Sequence, residues 1–313
     1  MNADSVDRCK NAGITTTMKG SPSFTPNQLK HLENAGWIMN NEVITDVNGN
    51  FDVLIPLRMV IGFGEDYLKI VIDVKHELIL TRSNSDRNAV IQTGNSDNFI
   101  VTIKKIEWLM PHVILSDFHK VEMYKYVSSN PSIAMSFRSW DLYEYPILPQ
   151  NSRQVWTVKT TNQLEKPRYV ILGFQTNRNN VMNANASKFD HCNITNVKLF
   201  LNSQAFPHAN MNLNINENKY ALLYEMFTRF QCSYYEKKHA KPIISKANFI
   251  ADMPLIVIDC SKQNESVKFG PVDVRLEFES SGNFPANTTA FCLIIHDRII
   301  EYKPISGEIK KLI

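Results

Sequence analysis

The most chemically suggestive run in this sequence is Asp190-His191-Cys192, three consecutive residues with reactive side chains. A cysteine can act as a nucleophile, a histidine can take its proton, and a carboxylate can orient the histidine. Catalytic triads are assembled from separate segments that a fold brings together, so three adjacent reactive residues are more typical of a polar turn. We therefore expect no catalytic residue in this run.

Two further polar runs also predict turns. Gly62-Phe-Gly-Glu-Asp66 has the composition of a glycine-rich ligand loop, but its flanking sequence indicates a turn between two strands. His296-Asp-Arg298 lies between two apolar runs, which favours a hairpin turn. Neither run predicts a ligand site.

Recognised catalytic and metal motifs are missing from the sequence. It contains no phosphate loop, no dinucleotide-binding glycine pattern, no HExxH, no GxSxG and no CxxC. His112 and His119 are the best-placed pair of histidines, and their spacing fits no metal motif. The prediction is a protein that is not an enzyme, with no catalytic, cofactor-binding or metal-binding residue and no cofactor.

Three lysine doublets, Lys104-Lys105, Lys237-Lys238 and Lys310-Lys311, are the candidate nucleic-acid contacts. Trp108, Tyr234 and Tyr235 lie near them in the sequence and could stack on bases. Short doublets usually belong to a solvated face. They predict a nucleic-acid surface only if the fold brings them together.

Composition narrows the class of protein. The 313 residues carry 34 Lys and Arg against 31 Asp and Glu, a net charge of +3, which excludes a histone-like chain that is basic throughout. A hydrophobic content of 43% excludes disorder over most of the chain. Five scattered cysteines predict free thiols. Neither a leader nor an apolar run long enough for a membrane helix is visible, so we expect an intracellular protein without membrane contacts.

The elements that must position these residues are mostly strands. Short runs rich in Val, Ile, Phe and Tyr are separated by Asn, Ser, Gly and Pro. In 272–279, apolar and charged residues alternate, as in a strand with one buried face, whereas 290–295 is apolar on both faces. The predicted strands are 51–57, 69–82, 98–110, 132–138, 153–160, 168–175, 194–202, 254–260, 272–279, 288–296 and 298–303.

Helices are predicted only inside connections, over 25–34, 116–126 and 218–230. Residues 1–50 form a polar N-terminal arm that has too little apolar surface to fold alone. The arm must therefore dock on the rest of the chain or on a neighbouring molecule. Many strands without a regular βαβ alternation predict an all-β fold of antiparallel sandwiches with short helices in connections.

Several segments resemble the double jelly-roll-like proteins of insect and cnidarian genomes, which are related to capsid proteins of Polinton/adintovirus-type elements. The longest resembling segment enters what would be the second jelly roll at Phe189. The resembling residues are 55–57, 62–67, 108–112, 166–176, 189–203, 254–263 and 285–298.

The resemblance implies two antiparallel jelly-roll sandwiches, the first over residues 51–188 and the second over residues 189–313, behind the arm of residues 1–50. It also implies a structural, self-assembling capsid or capsid-like protein that forms a pseudo-hexagonal homotrimer. Its partners would be its own copies and nucleic acid inside a shell, without a membrane. Its location would be a virion or capsid-like particle, or otherwise the cytoplasm or nucleus. The family offers no catalytic residue to carry over.

Two alternatives stay open at this point. Jelly rolls also serve as lectin-like binding modules, in which an exposed Trp or Tyr stacks on a sugar. The second alternative is an enzyme that uses Asp190, His191 and Cys192.

Overall fold

A computed structural model describes residues 5–38, 43–72, 74–91, 99–159, 166–263 and 272–312. Nine strands are described: β1 Ile133–Tyr145, β2 Arg153–Lys159, β3 Pro167–Thr176, β4 Ile194–Leu201, β5 Gln204–Phe206, β6 Ile256–Asp259, β7 Val274–Ser280, β8 Thr288–Lys303 and β9 Glu308–Lys311. Six α-helices accompany them: α1 Ala12–Ser23, α2 Pro26–Leu32, α3 Gly62–Asp66, α4 Asp117–Ser128, α5 Ala221–Tyr235 and α6 Lys246–Asp252.

The first eight strands pair as nested hairpins. β1 pairs with β8, β2 with β7, β3 with β6 and β4 with β5, all antiparallel. One sheet has the order β1-β8-β3-β6 with β9 added to β8, and the other has the order β2-β7-β4-β5. This rolled-up double ribbon is jelly-roll connectivity. The predicted all-β, antiparallel sandwich with helices in its connections is confirmed.

The core lies between the two sheets, where the alternating residues of each strand meet. The ring centres of Phe174 on β3 and Phe278 on β7 are 5.3 Å apart. Each of them lies 5.6 Å from the ring centre of Phe284. The centres of β3 and β8 are buried on both faces because α1 packs on their other side. This agrees with the two-sided apolar run predicted for 290–295.

The predicted boundary at residue 188 falls between β3 and β4, inside this sandwich. Strands β1 to β3 come from the predicted first jelly roll and β4 to β9 from the predicted second one. Because each of the first three strands pairs with a strand from beyond residue 188, both sheets contain strands from both halves. The described strands thus build one sandwich across position 188, which differs from the predicted division.

The N-terminal arm docks on its own chain. Most residues of α1 are buried, including Met18, and the helix packs against α5, β3 and β8. The predicted helices over 25–34, 116–126 and 218–230 correspond to α2, α4 and α5. In α2, the Thr25 N–H donates a hydrogen bond of 2.9 Å to the Gln28 side chain at the helix start.

Three predicted strands are wrong within the described residues: 51–57, 69–82 and the described part of 98–110 contain no strand. Residue 73, inside the second of these, and residue 98 lie outside the described residues. The composition suits a strand there, but no described neighbour pairs with these segments, and a strand exists only through its pairing.

Both runs that were predicted as turns differ in the structure. Gly62–Asp66 forms the short helix α3 against β1, and a Cβ added at Gly62 would stand 1.6 Å from the Arg138 carbonyl oxygen, so only glycine fits this approach. The predicted hairpin at His296-Asp-Arg298 is also wrong. These residues continue β8, since β1 pairs with them throughout.

Candidate functional site

The Asp190-His191-Cys192 run leads into a turn at residues 192–193, immediately before β4. The Asp190 carboxylate binds the Arg178 guanidinium at 2.6 and 3.1 Å and accepts the Thr176 N–H at 2.8 Å. His191 Nδ1 accepts the Asn193 N–H at 3.0 Å. The Asp190 carboxylate therefore holds Arg178 and the end of β3 in place. These contacts are those of a structural turn.

Burial also works against nucleophilic chemistry at this turn. It raises the pKa of the Cys192 thiol to about 12, and it lowers the pKa of His191. A thiol with that pKa is protonated at neutral pH, and only the thiolate is a strong nucleophile.

A buried polar cluster joins α1, α3, β1 and α5. Lys19, only 2% exposed, forms an ion pair with Glu65 and donates a hydrogen bond of 2.6 Å to the Tyr235 hydroxyl. Glu65 also accepts the hydroxyls of Tyr234 at 2.8 Å and Tyr235 at 2.6 Å. The ammonium lies 4.7 Å from the Trp140 ring centre. Burial lowers the pKa of Lys19 to about 8 despite the attraction of Glu65.

Arg138 extends the cluster toward the surface. Its guanidinium binds both oxygens of Asp66, at 2.8 and 2.6 Å, and stacks 3.5 Å above the Tyr234 ring. A third contact of 2.6 Å runs to the Tyr234 carbonyl oxygen. The cluster holds the Gly62–Asp66 helix and the N-terminal helix against the sandwich, which is a structural task.

A second polar cluster fixes the chain before α1. Asp7 accepts the Phe63 N–H at 2.9 Å and the Ser139 hydroxyl at 3.0 Å. Burial raises the pKa of Asp7 above its ordinary value. His296 Nε2 lies 3.8 Å from Asp141, which also lies 3.7 Å from Arg8. Through these contacts, the segment around Asp7 and Arg8 is held against β1 and β8.

The described residues offer no metal centre, since no group of three His, Cys, Asp or Glu side chains in them could hold an ion. The five cysteines are free thiols. His119 Nδ1 lies within hydrogen-bond distance, 2.9 Å, of the Ser116 hydroxyl at the start of α4. The histidine is therefore part of the hydrogen bonding at the N-terminal end of this helix.

The lysine doublets lie on three separate parts of the fold. Lys104 donates to Asn50 at 2.6 Å and Lys105 pairs with Glu107 at 2.8 Å. Lys237 lies 5.0 Å from the Tyr235 ring centre, just after α5, and the third doublet ends β9. The described contacts give each doublet a local role.

Two adjoining clefts open beside α5. The larger, of about 270 Å³, is mostly apolar and lies between α5 and β6. The smaller, of about 180 Å³, is more polar and shares Tyr169 and Ser233 with the first. The larger cleft is lined by Tyr169, Phe206, Leu222, Met226, Arg229, Phe230 and Asp259, among others.

The most unusual feature is an exposed apolar surface that precedes the sandwich. We define it as the described residues of 43–126, which are 43–72, 74–91 and 99–126. They carry most of the exposed large hydrophobic side chains in the described chain. Ile100 is 85% exposed and Ile114 is 91% exposed. The other strongly exposed members include Val47, Leu68, Ile79, Leu80, Ile106, Leu109, Phe118 and Tyr124. Single exposed hydrophobic side chains are ordinary on a protein surface, but so many in one stretch of chain are not.

Helix α4 belongs to this surface. It has no buried residue, and Phe118, Val121 and Tyr124 lie at helical spacing on it. An isolated helix of this length is marginal in water, so α4 needs a partner face.

Sequence reasoning missed both the buried Lys19 cluster and the exposed apolar surface. A lysine in a helix of threonines and serines gives no sign that it will be buried, because its partners Glu65, Tyr234 and Tyr235 come from distant segments. The exposed apolar surface did have a signal in the sequence. Its apolar runs are the segments that were wrongly predicted as strands.

The comparisons with known proteins decide the family. Residues 1–300 match the family model described as Double jelly roll-like domain. The chain belongs to the double jelly roll-like domain family. No curated protein matches it. The resemblance to double jelly-roll-like proteins is thereby confirmed.

Two solved structures are similar to part of this family member. A chain of the Sputnik virophage cryo-EM structure is 12% identical, with 58% of this chain and 39% of that chain covered and a TM-score of 0.34. The mavirus major capsid protein is 9% identical, with 57% and 41% covered and a TM-score of 0.30. The double jelly roll-like chain thus spans about two fifths of the chains it matches.

One finding concerns membranes. Among the described helices of this double jelly roll-like protein, none is long and apolar enough to cross a bilayer.

Proposed function

We propose that this chain is a structural, self-assembling capsid-like protein whose copies form a homotrimer. The observation that carries the proposal is the exposed apolar surface defined above, whose many exposed large hydrophobic side chains call for a partner. Family membership supports it, because jelly rolls recur in viral capsid proteins. No catalytic group takes part in this mechanism, which is geometric.

The pseudo-hexagonal outline follows if each copy contributes two bodies to the trimer. The sandwich of β1 to β9 supplies one body. The exposed apolar surface supplies the second body. Its segments pack between the sandwiches of neighbouring copies. Six bodies around a threefold axis can tile a closed surface. The particle would then be the location of the protein, with nucleic acid inside as its further partner.

Negative-stain imaging of the purified chain, together with light scattering on a sizing column at several salt concentrations, tests this function. We expect trimers and larger particles that persist in high salt, because apolar contacts are not screened by ions. A mass of one chain at every salt concentration would contradict the proposed self-assembly.

A second candidate is a lectin-like binding module, which the apolar cleft of about 270 Å³ beside α5 favours. Saturable glycan binding by a monomer, lost in Phe206→Ala, would support it over the assembly reading.

A further inference from the structure

Residues 99–114 form a segment whose backbone has no backbone partner within the described part of the chain. The segment runs without a helix, turn or bend. Among the described residues, no backbone group bonds to its backbone. Its polar contacts go to side chains, with the Val101 N–H on Asp86 at 3.0 Å and the Val101 carbonyl oxygen on Arg82 at 2.5 Å. Backbone groups next to apolar side chains need hydrogen-bond partners once those side chains are buried.

The side chains of segment 99–114 call for an apolar partner. Ile100, Ile103, Ile106 and Leu109 are 85%, 51%, 62% and 73% exposed. A partner that covers them must also offer a row of hydrogen-bonding groups. A free strand edge supplies that row, and the side chains of an added strand then pack on the two faces of the sheet that it joins.

The chain itself carries such an edge. Strand β2 closes the second sheet and pairs only with β7 among the described strands. The Ser280 N–H bonds to the Ser152 carbonyl at 2.9 Å, which makes 152 and 280 a hydrogen-bonded pair. Because such pairs alternate in an antiparallel ladder, the N–H and C=O of Val155 point away from β7, toward the open edge. The Val155 side chain is 54% exposed.

We propose that segment 99–114 of one copy adds as a strand to the open edge of β2 in a second copy. Within its own chain the segment is held beside Asn50, Arg82 and Asp86, none of which lies on β2. Donor and acceptor are different surfaces, so the contact is heterologous and can close a ring of three. The inference rests on the proposed self-assembly and names the contact that produces it.

The donor is tested with the double variant Ile103→Asp/Ile106→Asp. We expect the oligomer to weaken at least tenfold in dissociation constant, as measured by light scattering over a dilution series. Ile305→Asp is the matched control, since Ile305 is 62% exposed like Ile106 but lies in the β8–β9 turn. The control should assemble like the parent protein. At a concentration low enough for all the proteins to be monomeric, unfolding midpoints should stay equal because none of the three side chains is buried.

The acceptor is tested with Val155→Pro, which removes only the outward N–H and leaves the β2–β7 ladder intact. Val155→Thr keeps that N–H and serves as its control. We expect Val155→Pro to lose assembly to a similar degree and Val155→Thr to keep it.

The outcomes separate the two proposals. A parent protein that is monomeric throughout overturns the proposed function. A parent that assembles while both the aspartate double variant and Val155→Pro assemble equally well overturns strand donation alone. Loss in the aspartate variant without loss in Val155→Pro overturns β2 as the acceptor and points to contact between segments of two copies.

Discussion

At the scale of single residues, Cys192 shows why adjacency of reactive types is weak evidence for catalysis. Its neighbours Asp190 and His191 bind Arg178 and Asn193. The thiol is held protonated by burial, which raises its pKa to about 12.

We expect Cys192 to resist alkylation. At pH 8 in the native protein, iodoacetamide should modify it far more slowly than in urea, where burial is lost and an ordinary thiol pKa returns. Peptide mass spectrometry after timed quenching measures both rates. Equal rates in the two states would contradict the account and revive the enzyme alternative.

Lys19 supports a prediction about stability. Lys19→Met removes the cation that Glu65 faces and leaves a carboxylate in a buried site. Breaking such a pair costs about 3–5 kcal/mol of unfolding free energy. Urea unfolding measures this loss, with Lys30→Met on the exposed side of α2 as the control, expected to change stability by less than about 0.5 kcal/mol. A variant at position 19 as stable as the parent would show that the cluster contributes nothing.

The same lysine has a predicted pH signature. Its pKa is about 8 in the folded chain and ordinarily 10.5, so between these values the unfolded chain binds more protons and unfolding free energy rises with pH. This contribution is complete above the ordinary pKa and lost as pH falls through 8. The difference in unfolding free energy between the parent and Lys19→Met should therefore increase from pH 8 to pH 9.5, by up to about 1.4 kcal/mol per pH unit. A flat or falling difference would contradict a Lys19 pKa that burial lowers in the folded chain.

At the scale of elements, the sequence pattern correctly predicted strands where a partner strand exists. It wrongly predicted strands in segments that have no partner strand among the described residues. The alternation in 272–279 predicts β7, because one face meets the core and the other meets water. The apolar runs at 51–57 and 69–82 carry the same local signal. Whether a partner strand exists is a property of the whole fold, so local pattern could not decide it.

The strand β8 shows the opposite error. Polar residues at 296–298 predicted a turn, yet β8 continues for 16 residues because β1 pairs with it along its length. Asp141 faces His296, and Arg168 binds Asp297 at 2.6 Å, so the polar side chains are accommodated within the sheet.

Docking of α1 gives a prediction at this scale. Met18 on α1 is fully buried, whereas Met123 lies on α4, which has no buried residue. Met18→Ala should lower the unfolding free energy by about 2–5 kcal/mol through a lost core contact. Met123→Ala should cost less than about 1 kcal/mol in the monomer. Chemical denaturation measures both, and equal costs would show that α1 is not part of the core.

At the scale of the whole molecule, family and sandwich could be predicted, but the division of the chain could not. Jelly-roll pairing joins β1 with β8 and β2 with β7, so residues more than a hundred positions apart share each sheet. The division at residue 188, which the family resemblance implied, does not show such nesting. The exposed apolar surface of residues 43–126 is likewise visible only once the sandwich is in place.

The central claim is that this surface is covered by copies of the same chain. Sedimentation equilibrium of the purified full-length protein over a wide range of concentrations tests it most directly. The account predicts a mass of at least three times the 35.9 kDa of one chain at high protein concentration, retained in high salt. A mass of one chain at every concentration would contradict it.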